Sequence, residues 1–178
     1  MSFLDFAVKM KLLAEELNAR REDDTIRIAD EIMKQVRTRV SDEKIDADGS
    51  PFGQYSQALL PQWYFYGKSI VDGAEDEMKA GDWLISYAEF RELNNRDSGD
   101  INFSFTGDMW RNTGVVQVQN TEGTTTVTLG GQDDRSQDIL AWQAPRYGNI
   151  IEANEEEVEF ATEANRERIF GIINRFIQ

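Results

Sequence analysis

The chain has 178 residues, with 33 acidic and 19 basic side chains and a formal net charge of −14. It contains neither cysteine nor histidine, which excludes disulfides, thiolate nucleophiles, Cys/His zinc sites and a Ser-His-Asp triad. The excess of carboxylates disfavours nucleic-acid binding, because affinity for phosphates depends on Lys and Arg. Any catalysis would have to use carboxylates, lysine, tyrosine or a bound cation. We expect no cofactor and no metal.

The length and a hydrophobic content of 40% predict a single α+β domain over residues 1–178. No apolar run approaches the roughly 20 residues that span a bilayer, so we expect no membrane partner. The N-terminal segment Met1–Phe6 is acidic and lacks a cleavage-site pattern, so we do not expect a signal peptide.

Residues 2–42 are predicted to be helical, because apolar residues recur at steps of three and four. They are Met10, Leu13, Leu17, Ala29, Ile32, Met33, Val36 and Val40. Asp24 or Thr25 could cap a second helix within this stretch. One long helix and two helices with a kink are therefore both open.

The segment Asp46–Ser50 resembles the start of a calcium loop, because alternating oxygen ligands bind that cation. Pro51 stands where such a loop needs glycine, and Gln57 stands where it needs glutamate. An Asp-Gly turn is the better interpretation.

Residues 57–85 form the least regular part of the sequence, and we expect them to be an insertion or a partner-contacting appendage. They include four aromatic residues in succession, which are candidate partner contacts: Trp63, Tyr64, Phe65 and Tyr66. Such a run is typical of a buried strand or loop, but also of an interface patch, where Tyr and Trp dominate the energetics. A short polar helix is predicted from Glu75 to Ala80, ending at Gly81.

A helix is predicted over 84–94, followed by strands at 101–105, 115–120 and 124–129. The last two strands form a hairpin through Asn120–Gly123. The threonine-rich strand leaves one face solvated or paired with another subunit, and its open edge must be protected or filled.

A helix is predicted from Gln137 to Ala144, with Pro145 ending it. The carboxylates of Glu152–Glu159 could bind a cation or act as an acid/base pair. They could also be a solvated stretch that caps the last amphipathic helix, 160–177. The predicted fold is α+β: a long N-terminal helical segment, a small antiparallel sheet of three or four strands, and a C-terminal helix packed on the sheet.

Three segments carry a family resemblance. They are Asp48–Ser56, Tyr87–Arg91 leading through Asn102–Phe105 into Thr106–Met109, and Ala141–Gly148 followed by an acidic linker and a helix. In this order they resemble the tail-completion and neck proteins of tailed bacteriophages, also called virion morphogenesis or head–tail joining proteins. In such proteins the first two segments nearly adjoin, whereas here residues 57–85 intervene.

The resemblance implies a structural role for the residues that match the family motif, and no ligand site. They are Tyr87, Phe90, Arg91, Thr106, Gly107, Asp108 and Met109. Gly107 would permit a strand-to-helix turn, and Thr106 or Asp108 would cap the short helix. Met109, with Trp110, would fill the core.

The resemblance also implies a virion protein and not an enzyme. Copies would form a ring, a hexamer or dodecamer, that joins the head-side connector or adaptor proteins to the tail tube or tail terminator proteins. Genomic DNA would pass through the lumen at ejection without specific binding. Particles would assemble in the bacterial host cytoplasm. We expect 57–85 and 152–159 to contact neighbouring rings.

Two other functions compete with this one. The chain could be an acidic adaptor unrelated to virions that docks through its aromatic run. It could also be a carboxylate-based glycoside hydrolase, which needs two carboxyl groups about 5–9 Å apart. No motif in the sequence selects such a pair.

Overall fold

The computed structural model describes residues 3–104 and 106–177. The chain is α+β and 57% helical, with long helices near both ends, so the predicted fold class is confirmed. In chain order the main elements are α1 (Phe3–Thr38), β1 (Leu59–Pro61), α2 (Ala74–Ala80), β2 (Leu84–Ser86), α3 (Tyr87–Leu93), α4 (Asp108–Arg111), β3 (Thr113–Thr121), β4 (Thr124–Gly131), α5 (Asp134–Tyr147) and α6 (Glu155–Ile177).

The prediction of one antiparallel sheet with three or four strands is wrong. The described strands form two separate two-stranded antiparallel sheets, β1 with β2 and β3 with β4. The chain also divides into two compact units, which we call the terminal unit and the central unit. The terminal unit holds the residues up to Arg37 and from Asn112 onward, and the central unit is Thr38–Arg111. The expectation of a single domain stays a prediction.

The N-terminal segment is one continuous helix, so the alternative of two helices is wrong. The Thr25 hydroxyl does not cap a new helix but donates to the Arg21 carbonyl one turn back, at 2.8 Å. Asp24 instead forms an ion pair with Arg168 of α6. After α1 a π-helical turn, Arg39–Glu43, leads to Lys44 in the left-handed conformation.

The core of the central unit consists of Phe65, Met78, Ile85 and Phe90, with Tyr87 and Leu93 packed against it. The rings of Phe65 and Phe90 are stacked with their centroids 4.6 Å apart. In the sheet beside them, Leu60 of β1 lies opposite Ile85 of β2. Residues 57–85 therefore supply part of this core as well as surface.

The predicted helix over 84–94 begins as the short strand β2, and the helix starts only at Tyr87. Ser86 sets this boundary through a capping box: its Oγ accepts from the Glu89 amide at 3.1 Å, and the Glu89 carboxylate accepts from the Ser86 amide at 2.6 Å. The short helix predicted over Glu75–Ala80 is confirmed, with one more residue at its start and Gly81 at its C-terminus.

The predicted strand over 101–105 is wrong for residues 101–104, which are irregular. Phe103 has a φ of +52°, a left-handed conformation that no strand can contain. Phe105 lies outside the described residues.

The predicted β3–β4 hairpin is confirmed, with Thr121 paired to Thr124 around Glu122 and Gly123. β4 ends at Gly131, where a Cβ atom would lie 2.5 Å from the backbone nitrogen of Gln137 in α5. Only glycine fits this junction, because real Cβ contacts are never so short.

Pro145 does not end α5 as predicted, because the helix continues to Tyr147 and Gly148 follows it with a φ of +69°. α6 begins at Glu155 and not at 160. The Asn154 side chain accepts from the Glu157 amide at 2.9 Å, and the Glu157 carboxylate accepts from the Asn154 amide at 2.9 Å. The acidic run thus forms the cap and first turn of α6, where negative charge favours the helix dipole.

Candidate functional site

Arg91 organises the motif residues of the central unit from a fully buried position, 1% exposed. Its Nε donates to the Asp97 carbonyl at 2.5 Å. Its Nη2 donates to the Ser104 carbonyl at 2.8 Å and to Asn102 Oδ1 at 3.2 Å. The guanidinium therefore ties α3 to the irregular segment that precedes Thr106.

Tyr55 completes this cluster. The Arg91 guanidinium lies 3.9 Å from the centroid of the Tyr55 ring, a cation–π contact in a buried setting. The Tyr55 hydroxyl donates to Asn102 Oδ1 at 2.9 Å. Burial raises the pKa of Tyr55, so the phenol stays neutral near physiological pH and acts as a structural donor.

The Thr106–Met109 segment turns into α4, but no strand precedes the turn in residues 101–104, so the predicted strand-to-helix turn is wrong there. Gly107 has a φ of +79°. The Asp108 amide donates to Thr106 Oγ1 at 3.2 Å, and the Thr106 hydroxyl donates to Asp108 Oδ2 at 2.8 Å. Met109 and Trp110 are buried. Each of these side chains supports local structure.

The four aromatic residues 63–66 are partly exposed and partly buried, so each of the two interpretations of their sequence applies to some of them. Trp63 is 58% exposed, and Tyr64 and Tyr66 are also exposed. Phe65 corrects the expectation that all four contact a partner, because its ring is buried in the core beside Phe90. Lysines cover the two tyrosines: Lys68 Nζ is 4.0 Å from the Tyr64 ring centroid, and Lys79 Nζ is 4.9 Å from that of Tyr66.

A larger set of apolar side chains from β1, the turn after it and β2 is exposed with Trp63. We call this set the apolar patch: Leu59, Leu60, Trp63, Tyr64, Trp83 and Leu84. Trp83 is 64% exposed. The segments that carry these side chains are adjacent because β1 pairs with β2, and exposed apolar groups in adjacent segments are typical of interaction sites.

The apolar patch stands on a well-anchored scaffold. The Gln62 side chain is buried and its amide donates to the Met78 and Asp82 carbonyls. The Gln62 backbone amide donates to the Trp83 carbonyl at 3.0 Å. Because these bonds fix the turn that carries Trp63 and Tyr64, the patch is preorganised for a partner.

The sequence around Leu59–Tyr64, which carries four of the six patch residues, is almost free of charge, whereas Asp82 adjoins Trp83. Residues 49–71 contain no carboxylate and one cation, Lys68, in a chain that carries 33 acidic residues. Depletion of charge is what distinguishes the centre of a protein–protein interface from the rest of a surface.

Apolar side chains are also exposed on the helices of the terminal unit. On α1 they are Leu4, Phe6, Val8 and Leu12, and on α6 they are Val158, Phe160, Phe170 and Ile177. Trp142 of α5 is 83% exposed. The terminal unit thus also offers surface that a neighbouring chain could cover.

The carboxylates of the described residues were predicted to form either a cation site or a solvated stretch. No group of three or more Asp and Glu side chains is placed there to hold a metal ion. Asp46 Oδ1 accepts from the Asp48 and Ser50 amides at 3.0 and 2.8 Å, which makes the predicted Asp-Gly turn. A depression of about 440 Å³ lies at the start of α6, but residues 153–166 alone line it and Glu163 is paired there with Arg166.

No described helix has the length and apolar character needed to cross a membrane. Comparisons of the chain with protein-family models, with curated proteins and with solved structures give no match. Function has to be inferred from the residues themselves.

Proposed function

We propose that this chain is a structural component of the neck of a tailed bacteriophage. Copies of it would form a ring that joins the head connector to the tail and leaves a lumen for DNA. The observation that carries the proposal is the apolar patch, a preorganised set of exposed apolar side chains on a very acidic protein.

The physical reasoning starts from solubility. A chain with net charge −14 is kept dispersed by repulsion between copies, and exposed carboxylates contribute most to this. Exposed apolar side chains oppose this repulsion, because burying them on association releases about 25 cal/mol per Å² of apolar area. In the patch the relevant side chains are Leu59, Trp63 and Trp83. Their retention on the surface supports a protein that works in an assembly.

The motif residues support the same proposal in a different way. Arg91 and Phe90 hold the scaffold behind the apolar patch, while Thr106 and Gly107 shape the segment before α4. In this unit the motif residues serve to present surface. A ring built from it would work by shape, with each copy contacting the next through unlike faces.

The direct test is to look for the chain in purified phage particles. We expect mass spectrometry to find it at a copy number of a ring, and immunogold labelling to place it between head and tail. Its absence from complete particles would overturn the proposal and favour an acidic adaptor that docks through the same patch.

The role of the apolar patch is tested by Trp63→Asp and Trp83→Asp in a complementation assay. We expect filled heads and free tails to accumulate unjoined, with titre reduced by at least about tenfold, the factor set by 1.4 kcal/mol of lost association. The control is Asn95→Asp, which adds the same negative charge at an exposed position of the central unit outside the patch. An equal loss in the control, or normal joining in both patch variants, would remove the patch from the proposal.

A further inference from the structure

The β3–β4 hairpin has two faces of different character. One face carries the half-buried apolar residues Val115, Val118, Val127 and Leu129. The opposite face, which we call the outer face, carries Gln117, Gln119, Thr121, Thr124, Thr126 and Thr128, all of them exposed and uncharged. The strand register shifts at a β-bulge at Val116. Because of this bulge, residues of β3 on each face stay opposite residues of β4 on the same face.

Residues of α1 in the same chain already contact the side of the hairpin that carries the apolar face. Asn120, which belongs to this face, donates to the Glu22 carboxylate of α1 at 2.6 Å. Near the other end of β3, the Arg37 guanidinium of α1 donates to the Thr113 carbonyl at 2.7 Å. α1 thus contacts β3 near both of its ends, through the Asn120 side chain and the Thr113 carbonyl.

Neither edge of the hairpin is paired with a further strand among the described residues. In the part of the chain that the structure describes, β3 pairs with β4 and with no other strand, and β4 pairs with β3 and with no other strand. Natural proteins protect such edges with lysine, proline or inward charges. Neither β3 nor β4 contains a charged residue or a proline, and the only charge between Thr113 and Gly131 is Glu122 at the turn.

The occupant that fits these edges is another copy of this chain. A two-stranded hairpin is marginal alone and gains from further strands. Each copy offers one β3 edge and one β4 edge, and an antiparallel meander continues when β3 of one copy meets β4 of the next. Repulsion between two chains of charge −14 is weakest where the facing segments carry no carboxylate, and neither β3 nor β4 carries one.

We propose that neighbouring copies join by antiparallel pairing of β3 with β4 across the subunit boundary. The inference rests on the proposed function, because it names the surface through which the ring closes. Pairing of unlike edges is a heterologous contact, which generates a ring when the rotation closes.

Engineered cysteines test this pairing without background, because the chain has no cysteine of its own. Across a continuous antiparallel sheet, outer-face residues of β3 lie opposite outer-face residues of the neighbouring β4, with Cα atoms about 4.5–5.5 Å apart. This distance is within the range of a disulfide. The single variants are Gln117→Cys, Gln119→Cys, Thr126→Cys and Thr128→Cys, made in the full chain.

Each β3 variant is mixed with each β4 variant, assembled, oxidised and run on a non-reducing gel. We expect an interchain disulfide in at least one of the four mixtures and little from any variant alone. The control is Glu167→Cys, an exposed position on α6, mixed with the same partners. Cross-linking by Thr126→Cys alone would indicate two-fold pairing of like edges and overturn the proposal, as would no cross-link in any mixture.

The same variants separate this inference from the proposed function. If the chain is present in particles but no mixture cross-links there, edge pairing is wrong and the neck assignment stands. If mixtures of purified chains cross-link but the chain is absent from particles, edge pairing stands and the neck assignment is wrong.

Discussion

The central unit and the β3–β4 hairpin differ in where their polar backbone and side-chain groups find hydrogen-bond partners. In the central unit, the buried polar side chains Arg91, Asn94 and Gln62 bond to carbonyls of their own unit. In the hairpin, each strand has one neighbour within the described residues, and the outer face is in solvent.

This difference separates self-sufficient structure from structure that requires a neighbour. A buried polar group without a partner costs about 1–3 kcal/mol, so the bonds of Arg91 are a condition of folding. An unpaired strand edge in water costs little, because water bonds to it. The hairpin can therefore fold first and pair later, which suits assembly from separate chains.

The largest expected effect distinguishes two neighbouring aromatic residues. Phe65→Ala should destabilise the central unit by about 3–5 kcal/mol, because it leaves a cavity in the core beside Phe90. Trp63→Ala should change stability by less than about 0.5 kcal/mol, because the ring is exposed. Urea unfolding followed by circular dichroism measures both. Equal effects would mean that Trp63 is part of the core and that the apolar patch is not a free surface.

The next effect tests Arg91 as the organiser of the central unit. Arg91→Met should cost about 3 kcal/mol, because the Asp97 and Ser104 carbonyls lose the guanidinium and Asn102 Oδ1 loses one of its donors. Arg96→Met is the matched control, since Arg96 is exposed and close by. A loss below about 1 kcal/mol in the same urea experiment would show that water replaces the guanidinium, and the contrast between the two regions would weaken.

A smaller effect concerns the charged contact between two helices of the terminal unit. Asp24→Asn should cost about 1–2 kcal/mol, because the partly exposed Arg168 of α6 loses a largely buried partner. Asp23→Asn next to it should be near neutral, because Asp23 is exposed. Thermal unfolding of both variants measures the difference, and equal melting temperatures would contradict a specific link between α1 and α6.

The smallest effect depends on pH. Lys44 Nζ lies 2.7 Å from Asp97 Oδ2, and the hydrogen bond with Lys44 lowers the pKa of Asp97 from its ordinary value of 3.8. The stabilisation from this group is thus present above pH 3.8 and is lost as the pH falls through the lower folded-state pKa.

We therefore expect Lys44→Met to unfold slightly more easily than the unmodified chain at neutral pH. The gap should close in acid, where Asp97 is protonated in both. The control is Lys11→Met, an exposed residue in a weak contact with Glu15 on α1. A gap that persists in acid would mean that Lys44 acts through packing of its stem and not through its charge.

The sequence predicted elements whose signal is local. The hairpin followed from alternation on both sides of Gly123, and α1 and α6 followed from apolar residues at helical spacing. The helix that ends at Gly81 followed from a glycine stop. These patterns are written in neighbouring residues, so no knowledge of distant contacts is needed.

The sequence misled where distant contacts decide. Alternating residues 101–104 indicated a strand, but the Asn102 side chain accepts from Tyr55, Arg91 and the Ser104 amide, and the backbone follows these bonds. β2 has only three residues and pairs with a strand far earlier in the chain, with Leu60 of β1 opposite Ile85 of β2. The role of Arg91 was missed because its partners lie in separate segments. An arginine on the same helical face as Tyr87 was the one available signal.

Gly131 has a consequence for the outer face of the hairpin. No other residue fits at this position, so β4 cannot slide by one place relative to α5. Such slippage would turn Val127 and Leu129 to the solvent and hide the threonines. The absence of a side chain at position 131 thus keeps these apolar residues from becoming exposed. Any larger residue at this position should favour aggregation over ordered assembly.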